Sequence, residues 1–123
     1  MRQINITVGR GERGTDRWLD SARWSAFVQQ VDDLIDKSGL DVVVRNSGTG
    51  SWVNEADGRR IVEDNLAWVA LVSDELWEAI ELSGAENWFG AWRHVLGKLA
   101  KSYDQDAIAF GHGTSELVER EAA

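Results

Sequence analysis

The amino-acid sequence predicts an α+β, ferredoxin-like β-α-β-β-α-β sandwich, a four-stranded antiparallel sheet with its helices on one face. Three observations predict it. Stretches that alternate apolar and polar residues are interleaved with stretches whose apolar residues recur every three or four positions. The two middle strand-like stretches face each other across Asp57-Gly58, the best hairpin-turn signal in the chain. The 123 residues are enough for one domain with a real core, and right-handed crossovers leave few other packings.

Ile4, Ile6 and Val8 alternate with Asn5 and Thr7, which predicts a strand with one buried face. A glycine-rich connection, Gly9-Arg10-Gly11-Glu12-Arg13-Gly14, follows. Asp20 or Ser21 caps the first helix, whose buried stripe is Trp24, Phe27, Val28, Val31, Leu34 and Ile35. Ser38-Gly39 closes it.

Leu40 to Arg45 reads as the second strand, with three successive valines that require cover on both faces. Asn46 to Ser51 is expected to interrupt it as a bulge or bend, with Trp52 and Val53 resuming it. Arg59 to Val72 is apolar on both faces and is therefore expected at the centre of the sheet. Its second apolar face leaves homodimerisation as an expectation.

The stretch from Ser73 to Ser102 has helical periodicity, with Trp77, Ile80, Gly84, Trp88, Ala91, Val95 and Leu99 along one face. One helix of that length would run roughly 45 Å, too long for this domain. A break at Ser83-Gly84 is expected, giving helices Asp74–Leu82 and Ala85–Lys101, with Ser83 and Glu86 as a capping box. Ala107 to Phe110 is the last core strand, loosened by Gly111-His112-Gly113. Leu117 and Val118 are expected in a short edge strand, and Glu119 onward in a frayed tail. Residues 1–123 thus read as a single domain.

Part of this pattern has relatives. Trp24 and Phe27, Gly39-Leu40 with Val42, Gly50-x-Trp52, Gly58, Glu63 and the run Tyr103-Asp104-Gln105-Asp106-Ala107-Ile108-Ala109 resemble a group of small bacterial and phage α/β proteins. The resemblance spans about Leu19–Phe110 as spaced single residues. It implies the ferredoxin-like fold and a phage or prophage origin. It implies no activity, because none is assigned to that group.

Charge and composition exclude several classes. A formal net charge of -8 argues against a general nucleic-acid binder. Without cysteine the chain has no disulfide, thiolate metal site or cysteine nucleophile, which favours an intracellular, cytoplasmic location, that of the host bacterium if the chain is phage-encoded. The N-terminus is too short and polar for a signal peptide, and no apolar run approaches the ~20 residues of a membrane span. With no proline, turns fall to Gly, Asn, Asp and Ser. Of seven tryptophans, Trp24, Trp68, Trp77 and Trp88 are expected in the core. Trp18, Trp52 and Trp92 are the candidates for a ligand or partner surface.

Gly9-x-Gly11-x-x-Gly14 matches a dinucleotide fingerprint, but its context is wrong. The helix starts late, no acidic residue ends the second strand, and the chain is too short for a doubly wound sheet. The fold supplies a better candidate. One edge of the sheet gathers Arg10, Arg13, Arg17, Arg45, Arg59 and Arg60, with Lys98 and Lys101 from the main helix and the Gly48-Thr49-Gly50-Ser51 loop and Trp52. Guanidinium forks, glycine-loop N–H groups and a stacking aromatic suit a nucleotide-like anion. His94 and His112 lack metal-ligand spacing, and the acidic clusters at Asp32, Asp33 and Asp36 and at Glu75, Glu78 and Glu81 read as solvated faces. No nucleophile elbow, P-loop lysine or H-E-x-x-H is present. The expectation is a non-enzymatic binding or inhibitor protein without cofactor, engaging a host protein or a small anionic ligand through the arginine-rich rim. The alternatives are an enzyme for a phosphorylated substrate at that rim and an assembly protein that oligomerises through the open sheet face.

Overall fold

The alternation of Ile4, Ile6 and Val8 becomes β1 (Arg2–Gly9), an inner strand of a four-stranded sheet. The computed structural model describes residues 1–11, 17–53, 56–105, 107–114 and 118. The remaining elements are α1 (Ser21–Lys37), β2 (Asp41–Val53), β3 (Arg60–Val72), α2 (Asp74–Ser83), α3 (Ala85–Ser102) and β4 (Ala109–Thr114). The strand order is β2-β3-β1-β4 and every pairing is antiparallel. This is the expected α+β, ferredoxin-like sheet, with β3 central as its two apolar faces required.

Register places the core. Ile4 pairs with Ala70, Ile6 with Trp68 and Val8 with Leu66, so one face of β1 and β3 carries a continuous apolar layer. Phe27, Val31 and Ile35 of α1 and Trp92, Leu96 and Leu99 of α3 close over it. Phe27 stacks on Tyr103 at 4.7 Å between ring centroids. Trp68 is buried to 1% exposure, and its Nε1–H donates to Asp32 Oδ1 at 2.7 Å, so the buried ring keeps a partner for its polar end.

Several local expectations change. β2 is continuous through Asn46–Ser51, and its irregularity lies between Val42 and Val44. Gly48 and Gly50 do not break the ladder. They pair with Asn65 and Glu63, and both leave room for the Asn65 side chain. The helix break does fall where expected, at Gly84, whose φ of 100° and ψ of 105° end α2 and start α3. The capping box does not form, because Ser83 closes α2 and its hydroxyl donates back to Ala79 O at 3.0 Å. Gly84 gives α3 no side-chain cap. β4 continues through Gly111-His112-Gly113, which pair with Asn5, Ile4 and Gln3 of β1. Trp92 is buried, not a surface residue, while Trp24, Trp77 and Trp88 are only partly buried. Val118 is exposed, and Leu117 and the tail from Glu119 lie outside the described residues. Among the described residues no helix is long and apolar enough to cross a membrane.

Candidate functional site

The face of the sheet turned away from the helices is apolar towards one end, at Val69 and Leu71 of β3, and small and polar towards the other, around Glu63 and Asn65. Opposite in parity to the core layer, it carries Asn5, Thr7 and Gly9 of β1, Glu63, Asn65 and Ala67 of β3, and Gly48 and Gly50 of β2. The glycines are needed for space. A Cβ on Gly9 or Gly11 would fall on the Glu63 carboxylate, and one on Gly50 would fall on the Asn65 amide. Glu63 therefore lies flat over the end of β1, and Asn65 lies over the neighbouring strand.

Both side chains are held. Glu63 Oε2 accepts the Gly11 backbone N–H at 2.6 Å. With its amide oriented to satisfy both neighbours, Asn65 donates to Gly48 O at 3.3 Å and accepts from Gly50 N at 3.2 Å. The segment under Glu63 is tied down in turn. Arg10 N donates to Asp64 O at 2.9 Å, Gln105 Nε2 donates to Gly11 O at 2.9 Å, and Gly11 bridges Trp18. Leu19, fully buried, donates its N–H to Arg10 O at 2.9 Å. A carboxylate fixed on a glycine floor by elements 52 residues apart is preorganised, which is what a binding or catalytic group needs.

The arginine rim divides. Arg17, Arg59 and Arg60 share a depression of about 360 Å³ with Gly11, Trp18, Ile61 and Val62. Arg60 Nη1 donates to Ser51 Oγ at 3.0 Å, and Arg59 Nε lies 4.0 Å from Asp57 Oδ2. Arg10 sits beside this group, its guanidinium 5.7 Å from the Trp18 ring and its Nε donating to Leu19 O at 2.8 Å. Arg45, Gly48 and Thr49 line a second groove, of about 480 Å³, against Trp24 and Val28 of α1. Asp32 holds Arg45 there with contacts of 3.1 and 3.2 Å. Trp52 pairs with Ile61 in the β2–β3 ladder. Lys101 lines a third depression with Arg93, Asp104 and Phe110, and Lys98 is exposed on α3. Arg13 lies outside the described residues.

Sequence reasoning did not read Glu63 and Asn65 as a pair. The signal was the period-two spacing that puts them on one face of β3, opposite glycines at 9, 11, 48 and 50. His94 and His112 are both exposed, the His112 ring stacked on Phe89 at 3.9 Å between centroids. Among the described residues no group of three or more His, Asp or Glu side chains is placed to hold a metal.

This fold and open face are those of a small ferredoxin-like α+β protein with a polar platform. No family model and no curated protein matches the chain. Solved structures do. A phage SAM lyase in complex with S-methyl-5'-thioadenosine superposes with a TM-score of 0.64 at 14% identity, covering 91% of this chain and 79% of that one. A phage SAM lyase in the apo state gives a TM-score of 0.53 at 12% identity, covering 96% and 92%. At this identity the likeness defines the fold alone, and both of these structures are of phage proteins. It also corrects the expected function. These neighbours are an enzyme, so the expectation of a non-enzymatic binder or inhibitor does not stand. That expectation rested on the missing nucleophile, base and metal constellations, and not every reaction requires them.

Proposed function

We propose that this chain is an enzyme that cleaves S-adenosylmethionine (SAM) to S-methyl-5'-thioadenosine, with the open sheet face around Glu63 as its site. The observation that carries the reading is the Glu63 carboxylate, held over Gly9 and Gly11 on a fold shared with phage SAM lyase.

The chemistry asks little of the protein. A sulfonium is already a good leaving group, so neither metal nor nucleophilic triad is required. The bond from sulfur to the aminobutyrate chain breaks and its electron pair stays on sulfur, giving a neutral thioether. A lyase adds no water, so the carbon side is satisfied within the substrate: its own carboxylate oxygen bonds to that carbon as the carbon–sulfur bond breaks, closing a lactone. The protein must bind, orient and desolvate. Glu63 accepts hydrogen bonds and favours a cation beside it, and Asn65 offers an amide edge on the same strand face. The net charge of -8 draws in a cationic substrate and has no such pull on the uncharged product.

The test is incubation of the purified protein with SAM and chromatography of the products. S-methyl-5'-thioadenosine accumulating as SAM disappears, faster than in a protein-free control, supports the reading. SAM lost only at the control rate overturns it.

A further inference from the structure

We propose that the groove between α3 and the edge strand β4 takes an extended acidic peptide, which adds to β4 as a fifth strand. This groove does not rest on the SAM-cleaving reading. In the order β2-β3-β1-β4 each outer strand has one side without a partner strand among the described residues, and such an edge presents a row of backbone N–H and C=O groups. The two edges differ. β2 slips register between Val42 and Val44, and a bulge of that kind blunts an edge. β4 keeps one register against β1 from Ala109 to Thr114. Beside it lies a depression of about 460 Å³, lined by the partly buried Ile108 and Phe110 and, from α3, by Arg93, Gly97 and Lys101. Those last three recur every four residues, so they share one strip of the helix. Gly97 leaves the middle of the strip open, with no heavy atom within 4 Å of a Cβ placed on it. From Asn87 to Tyr103 there is no acidic residue, in a chain of net charge -8. Arg93 and Lys101 are exposed and hold no ion pair among the described residues, not even with Asp104, which lines the same depression. The helix sets them about 12 Å apart along its axis. On an extended strand, residues four apart lie on one side at about 13 Å. A partner strand with acidic residues four apart and an apolar residue midway therefore meets both cations and sets the apolar side chain over Gly97. Backbone pairing along β4 supplies affinity, and the side chains supply selectivity.

The probe is a dye-labelled peptide of the length of β4, Glu-Thr-Val-Thr-Glu-Thr, followed by fluorescence anisotropy. Lys-Thr-Val-Thr-Lys-Thr reverses its charge, and Glu-Gly-Gly-Gly-Glu-Gly keeps the charge without the strand preference. Each is titrated into the wild type, Arg93→Gln, Lys101→Gln, their double variant and Gly97→Leu, and thermal melts confirm folding. Gly97 has no positive φ and open space at its Cβ, so leucine there fills the groove without straining the helix. Lys98→Gln is the comparator, exposed on α3 but outside the lining of the groove. The wild type should bind the first peptide saturably and about tenfold or more tighter than either control peptide. Each charge variant should weaken that binding about threefold and the double variant about tenfold. Gly97→Leu should abolish it, and Lys98→Gln should hold within about twofold. Equal weakening in Lys98→Gln, equal binding of the glycine peptide, or no saturable binding at about millimolar peptide overturns the docking site. Self-association of the wild type that Gly97→Leu removes, read by sedimentation velocity, assigns the groove to a second copy of the chain and overturns it as well.

Discussion

Glu63 and Gly11 meet at 2.6 Å, carboxylate oxygen to backbone nitrogen, although one sits in the middle of the chain and the other near its start. The contact exists because β1 ends at Gly9 while β3 runs past it, with Asn65 as the partner of Gly9. The chain beyond β1 must curl back along β3, and Arg10 N continues the ladder by donating to Asp64 O at 2.9 Å. Glycines at 9 and 11 let the carboxylate lie on this backbone and not stand away from it.

That geometry makes Gly9→Ala and Gly11→Ala informative. Neither glycine has a positive φ, so alanine fits the backbone, and what its methyl meets is the end of one movable side chain. The fold should survive with a melting temperature close to wild type. Displacing the carboxylate by about 1 Å should lower SAM cleavage on the order of 100-fold. Circular dichroism melts beside product chromatography check both halves; wild-type cleavage in both variants would argue against the cradle.

Asp32 accepts from the buried Trp68 indole at 2.7 Å and also holds Arg45. Asp32→Ala leaves that indole N–H without its partner at 1% residue exposure, and should cost about 1–3 kcal/mol. Arg45→Ala removes only a half-exposed ion pair and should cost less than about 1 kcal/mol. Urea unfolding of both variants checks the ranking, and the reverse order would refute it.

Two glycines should respond to alanine with opposite signs. Gly84 has φ of 100° and its Cβ would press on Asn87, so Gly84→Ala should cost about 1–3 kcal/mol. Gly97 lies inside α3 with nothing within 4 Å of its Cβ position, so Gly97→Ala should add about 0.5–1 kcal/mol. Denaturant midpoints for the pair measure this directly.

How much was legible in the sequence follows from which interactions are local. The faces of β1 and β3 were readable because alternation alone assigns a side chain to one side of a sheet. The buried side of α3 was misread by about one position, as Trp88, Ala91, Val95 and Leu99, where the structure buries Phe89, Trp92, Leu96 and Leu99. Both stripes have helical spacing. The second places the larger apolar surfaces inside, and burial energy scales with that area. Arg17, Arg59 and Arg60 come together because the return past β1 meets the hairpin end. Arg45 does not join them, because Asp32 on α1 claims it, and that pairing depends on tertiary packing. Glu63 and Asn65 were hidden for the same reason: their glycine floors belong to other strands, and only register brings them underneath.

Gln105 offers a check on the floor itself. Its side chain, buried to 8% exposure, donates to Gly11 O at 2.9 Å. Gln105→Ala should loosen the Gly9–Gly11 segment and reduce the turnover rate more than it weakens S-methyl-5'-thioadenosine binding. Steady-state kinetics beside calorimetry separate the two; equal losses would mean that Gln105 only stabilises the fold.

The most direct measurement is the rate of S-methyl-5'-thioadenosine formation from saturating SAM by wild type and by Glu63→Gln, a substitution that keeps shape and removes charge. The account predicts measurable product from the wild type and a rate lower by about 100-fold or more in the variant, with an unchanged melting temperature. Equal rates in the two proteins, or no product from the wild type, would contradict it.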